Sequence, residues 1–78
     1  MTEEQKKNFQ FLKEGLTRDL LMLLVQQRGM DPINAMNALF DSTTYSKLSD
    51  PATLLYIQSA NYVYSYLEDE LKYGRFMA

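Results

Sequence analysis

The chain has 78 residues, 46% of them apolar, with eight basic and ten acidic side chains, a net charge of −2, and neither cysteine nor histidine. That length makes one small domain, residues 1–78, burying only about 60–65% of its unfolded surface, with no disulfide or thiolate metal site to support it. A large nucleic-acid footprint needs clustered Lys and Arg against phosphates, and Lys6-Lys7 is the only basic doublet.

The opening MTEEQKKNF lacks the apolar stretch of a secretory signal. The longest apolar run, Leu20 to Val25, has six residues, whereas a membrane span needs roughly 18 or more. The reading is a cytoplasmic protein without a membrane segment.

The elements are helical throughout. Thr2 followed by Gln5 fits a capping box, and Glu3 and Glu4 suit the positive end of the dipole. Phe9, Leu12, Leu16, Leu20 and Leu23 then recur at three- and four-residue spacing. Arg28-Gly29 is a stop signal, so the first helix spans about residues 3 to 28. Its second half, LLMLLV, is apolar nearly all round, which suits a helix central in its bundle or paired with another chain. Gly15 inside it is read either as permitting a close crossing or as a tolerated glycine.

Asp31 as N-cap and Pro32 at the first position open a second helix, with Ile33, Met36, Leu39 and Phe40 as its buried stripe. Ser42 starts a short helical turn over Thr43 to Leu48, and Asp50-Pro51 starts another to about Gln58. Ser59 caps the last helix, which ends near Tyr73 with Lys72, Gly74 and Arg75 as stop signals. YVYSYL alternates as a strand would. But EDELK follows with no turn residue between, and no second segment exists to pair with it. Helix wins.

Four of the six tyrosines fall within residues 56–66. At about 100° per residue, Ala60, Val63, Tyr64, Leu67 and Leu71 make the core face of the last helix. Tyr62, Tyr66 and Tyr73 gather on the opposite side with Asp69 beside them, and Asn61, Ser65, Glu68 and Lys72 form a polar flank. Tyrosine is enriched at interfaces because it offers large area with a polar tip. The stripe is covered by the first helix, or buried against a partner, or used to stack bases; its acidic neighbours argue against the last, since stacking platforms come with basic ones. Tyr62, Tyr66, Tyr73 and Asp69 are therefore the candidate interface. A two-fold homodimer pairing them with LLMLLV is the simplest arrangement.

Catalysis is disfavoured. Without His or Cys the commonest general base, metal ligand and strong nucleophile are missing. Glu68-Asp69-Glu70 diverge on a helix and are read as a solvated face rather than a metal site. Three isolated glycines make no phosphate loop. No cofactor is implied. QQRGMDPINAMNALF has the outline of a helix-turn-helix, which makes a DNA-binding regulator the alternative reading. A recognition helix presents Arg, Lys, Asn or Gln to base edges, though, and this one has only Asn34 and Asn37.

The spacing Ala38-Leu39, Phe40, Ser42, Thr44-Tyr45, Leu48, Asp50-Pro51, Thr53, Leu55-Tyr56, Gln58-Ser59, Tyr62-Val63-Tyr64 and Leu67 resembles a family of short, uncharacterised bacterial proteins. Two positions depart from that pattern: Leu54 where glycine is common and Ala60 where proline is common. The resemblance implies a small all-helical bacterial protein and carries no activity with it. The expected fold is an all-α bundle of a long N-terminal helix against three or four shorter ones, with Tyr45 and Tyr56 packed among the short helices. Its expected core is Leu12, Leu16, Leu20, Leu23, Leu24, Ile33, Met36, Leu39, Phe40, Leu48, Leu55, Val63, Leu67 and Leu71. The expected function is a non-catalytic protein–protein interaction module.

Overall fold

Every α-helix start among the described residues is marked by a side chain that accepts otherwise unpaired backbone N–H groups. The computed structural model describes residues 1–74, so the stop signal read at Arg75 lies outside the described residues. Its elements are α1 (Glu3–Arg28), α2 (Pro32–Phe40), α3 (Thr43–Leu48), 3₁₀ turns at Pro51–Thr53 and Leu55–Ile57, and α4 (Ala60–Tyr73). The fold is a small all-α bundle with no strand among the described residues.

Thr2 and Gln5 form the capping box that opens α1. Asp31 accepts the N–H groups of Ile33 and Asn34 ahead of α2. Ser42, Asp50 and Ser59 accept from Tyr45, Ala52 and Tyr62 in turn. Gly29 and Gly74 close α1 and α4 with left-handed φ of 66° and 75°, the conformation glycine adopts without a Cβ penalty.

Between Asp50 and Gln58 the chain differs from the expected continuous helix. Leu54 sits at φ 59°, the left-handed region, and splits the segment into two 3₁₀ turns. The Thr53 hydroxyl holds the corner by donating to the carbonyls of Lys47 (2.6 Å) and Asp50 (2.8 Å). Glycine is the residue that would take this backbone with least strain.

α1 is the spine. Its 26 residues rise about 39 Å at 1.5 Å each, which accounts for the 38 Å long axis of the molecule. It packs against α2, α4 and the second 3₁₀ turn. That placement explains why LLMLLV is apolar nearly all round. Leu20 and Leu24 are fully buried, Leu21, Leu23 and Val25 pack half-buried at the core edge, and Met22 is exposed. Gly15 permits no close crossing: a Cβ there would meet only the Arg18 guanidinium, at 3.8 Å.

The core consists of Phe9, Leu16, Leu20, Leu24, Ala35, Leu39, Leu48, Leu55, Val63, Tyr64 and Leu67, with Ser42 and Thr44 buried beside them. Leu12, Leu23 and Leu71, expected inside, are half-buried. Ile33, Met36 and Phe40, also expected inside, are exposed. Small Ala35 and Leu39 take the inward positions of α2, so that helix lies close against α1 with one edge of its apolar arc and leaves the other edge in solvent. The two tyrosines expected among the short helices divide. Tyr56 stands edge-on to Phe9 of α1 (ring centroids 4.9 Å), and Tyr45 stands edge-on to Phe40 (5.0 Å) with Lys13 over its ring.

Candidate interaction surface

α4 presents its tyrosines on two sides, as its helical spacing dictates. Val63, Tyr64 and Leu67 are buried. Tyr62 and Tyr73 stay 45% and 56% exposed, while Tyr66 and Asp69 are half-buried. Tyr62 and Tyr73 are therefore left open to solvent, whereas Tyr66 packs at the edge of the core. Tyr62 and Tyr66, one turn apart, form an edge-to-face pair with centroids at 5.3 Å and hydroxyls 3.0 Å from each other. That hydrogen bond is the main reason the Tyr66 hydroxyl titrates above its ordinary value, with burial and the Tyr62 charge adding to it. Tyr73 stands apart from the pair under the Lys72 ammonium, 5.2 Å from its ring centroid. The candidate set thus yields one preorganised pair, one separate cation–π contact and a flanking carboxylate.

The acidic triplet on the same helix is not uniformly solvated. Glu70 is half-buried and reaches the N-terminus of α3. Its two carboxylate oxygens accept the N–H of Thr43 (2.7 Å), the N–H of Thr44 (2.8 Å) and the Thr44 hydroxyl (2.8 Å). A carboxylate on unpaired N–H groups at a helix start is favoured by hydrogen bonding and by the dipole together. This contact spans 26 to 27 residues of sequence and has no local signature. The neighbour Glu68 is exposed. Among the described residues no three of His, Cys, Asp and Glu converge as metal ligands would.

Tyr64 is the one buried tyrosine of α4, and its hydroxyl finds no hydrogen-bond partner among the described residues. Burial pushes its ionisation above the ordinary value, the Glu68 charge adds to that, and Arg28 opposes it.

The largest departure from expectation is on α2. Ile33 is 69%, Met36 43% and Phe40 44% exposed. Spaced by three and four residues, they form one ridge, about 100° round the helix from buried Ala35 and Leu39. Beside the Phe40 end of the ridge lies a surface concavity of about 430 Å³, whose walls include Lys13, Glu14, Thr17, Arg18, Phe40 and Tyr45. No residue of α2 carries a charge.

No family model, curated protein or solved structure matches the chain.

Apolar-rich features of the described surface include the α2 ridge with its neighbouring concavity, the α4 tyrosine pair, and exposed Phe11 and Ile57 on either side of a concavity of about 400 Å³. The tyrosine rings, Ile33 and Phe40 lose little conformational freedom on contact, while Met36 is the adaptable member of its ridge. Reading α2 by periodicity alone placed its ridge in the core, and the absence of any charge along nine residues was the signal that it could face another apolar surface. Among the described residues no helix is long and apolar enough to cross a membrane.

Proposed function

We propose that the protein is a non-catalytic protein–protein interaction module, cytoplasmic and bacterial, acting as a homodimer or on another protein, with no metal, cofactor or membrane. One observation carries the reading: Ile33, Met36 and Phe40 stand exposed in a row on a helix that has no charge. An aligned ridge of this kind presents roughly 300 Å² of mostly apolar surface, the scale at which patches on monomers are often functional. The tyrosine pair Tyr62–Tyr66, with Tyr73 and Asp69 along the same helix, is a second contact face.

The alternative, a helix-turn-helix regulator, draws support from the α1–Gly29–α2 arrangement. Against it, the helix that would enter the groove displays Ile, Met and Phe, and the Asn34 amide is already engaged by Asp31. Base edges need donors and acceptors.

The test is a paired capture from extracts of the source organism, using wild type and Met36→Lys as baits, beside a mobility shift on duplex DNA at physiological salt. The interaction reading expects a protein retained by wild type and lost from the variant, or self-association lost in the same way. A DNA shift with neither of these would replace it by the regulator reading.

A further inference from the structure

The face that α2 shows to solvent has a cause outside α2. The helix carries no charge, and its larger apolar side chains, Ile33, Met36 and Phe40, lie outside while Ala35 and Leu39 lie inside. Burial of apolar area favours the larger side chains inward, so contacts beyond the helix decide its face.

At its C-terminal end those contacts form a continuous path to α4. Phe40, the last residue of α2, stands edge-on to Tyr45 of α3 with ring centroids at 5.0 Å. The Tyr45 N–H donates to the Ser42 hydroxyl at 3.0 Å, and that hydroxyl donates to the Leu39 carbonyl. Tyr45 directly follows Thr43 and Thr44, whose N–H groups both donate to the Glu70 carboxylate. Thr44 is fully buried, and its hydroxyl donates to the same carboxylate at 2.8 Å. The far end of α3 is fixed separately, by Leu48 in the core. A helix of six residues has little stability of its own, so its anchors decide where it sits. Without Glu70 the start of α3 is free to pivot about Leu48, carrying Tyr45 and the ring against which Phe40 rests.

We infer that Glu70 is a latch, reaching from α4 through the start of α3, that sets the outward display of the α2 ridge; the inference rests on the interaction-module reading and names what controls its contact face. Closed, the latch keeps Phe40 in line with Met36 and Ile33 as one surface. Open, Phe40 loses its fixed neighbour and the ridge is no longer a single surface. Glu70 also lies on α4 within about one turn of Tyr66 and Tyr73, four and three residues away. The control of one contact face is thus placed beside the other.

The experiment is nuclear magnetic resonance of the full chain, following the Phe40 ring, the Met36 methyl group and exchange of the Thr43 and Thr44 amides. N–H groups at a helix start ordinarily lack a partner, so slow exchange at these two reports the closed latch. Glu70→Ala is expected to speed their exchange by about tenfold or more. It is also expected to shift or broaden the Phe40 and Met36 signals, with far-UV circular dichroism unchanged. Glu70→Gln keeps an acceptor but not the charge and is expected to fall between, while Glu68→Ala matches wild type. A contact that merely stabilises α3 would speed the amides and leave Phe40 where it was, and that result would overturn the latch. Should Glu70→Ala unfold, Glu70→Gln decides by the same signals.

In the paired capture, Glu70→Ala is expected to weaken retention about threefold or more, because fewer molecules hold the ridge intact. If Phe40 responds to Glu70 but wild type retains nothing, the latch stands and the interaction reading falls. If wild type retains a protein that Met36→Lys does not, yet Phe40 ignores Glu70, the interaction reading stands and the latch is wrong.

Discussion

α2 and α4 carry the same kind of signal, a capped start followed by apolar residues at helical spacing, and the fold uses them differently. In α4 the wheel and the burial agree: Val63, Tyr64 and Leu67 point inward and Tyr62 and Tyr73 outward. In α2 the most apolar row, Ile33, Met36 and Phe40, faces solvent while Ala35 and Leu39 face in. α4 has 14 residues and charged side chains that mark its outer face, so only one orientation buries its apolar arc. α2 has nine residues and no charge to mark an outside. Its orientation is set by what holds its two ends. One end is the Gly29–Asp31 turn from α1. The other is Ser42, which donates to the Leu39 carbonyl, accepts from Tyr45, and leads into α3, itself held by Glu70. A short helix tied at both ends takes the face its tethers allow.

The sharpest way to break this comparison is truncation on each helix. Leu67→Ala in α4 and Leu39→Ala in α2, both fully buried, are expected to cost about 2–5 kcal/mol each in urea denaturation. Ile33→Ser and Met36→Ser, which the sequence alone would place in the same core, should stay within about 0.5–1 kcal/mol of wild type, as surface changes usually do. Equal losses for Leu39 and Met36 would show that α2 is rotated in solution.

The tether itself comes next. Glu70→Ala removes the acceptor for three donors at the start of α3 and is expected to cost about 1–3 kcal/mol. Glu68→Ala, two residues away on the same helix and exposed, serves as the control with little expected change. If the two variants melt together, Glu70 does not hold α3.

A smaller and opposite effect is expected at Tyr64. Replacing its unpartnered buried hydroxyl by Phe should stabilise the fold by about 1 kcal/mol. Because its ionisation is pushed above the ordinary value, the neutral phenol favours the folded state. That contribution is complete below about pH 10, the unfolded value, and is lost as pH rises through the raised folded value. Absorbance near 295 nm should show this tyrosine ionising together with alkaline unfolding, and Tyr64→Phe should lessen the alkaline loss. A variant with an unchanged alkaline midpoint would contradict this.

The smallest effects concern backbone choices. Leu54→Gly relieves a left-handed leucine, and Gly15→Ala adds a methyl group where only the Arg18 guanidinium is near. Each is expected to raise stability by about 0.5–1 kcal/mol. A loss at Leu54 would mean its side chain packs more firmly than its exposure indicates.

Local chemistry was enough to locate most of this fold in advance. Thr2, Asp31, Ser42, Asp50 and Ser59 each accept N–H groups within three residues of themselves, so the sequence by itself determined where the helices begin. The left-handed glycines at 29 and 74 likewise marked where α1 and α4 end. The continuous apolar circumference of LLMLLV already called for neighbours on several sides, and the division of the α4 tyrosines followed from spacing. What only the tertiary structure decided were relations between distant residues. Glu70 finds Thr43 and Thr44 across more than 25 positions, Tyr56 meets Phe9 across the bundle, and α2 shows its Ile33–Met36–Phe40 edge to solvent. Periodicity measures how wide an apolar arc is. Which part of that arc meets a neighbour depends on the volume left by the other helices and on the tethers at each end, and neither is written within the helix.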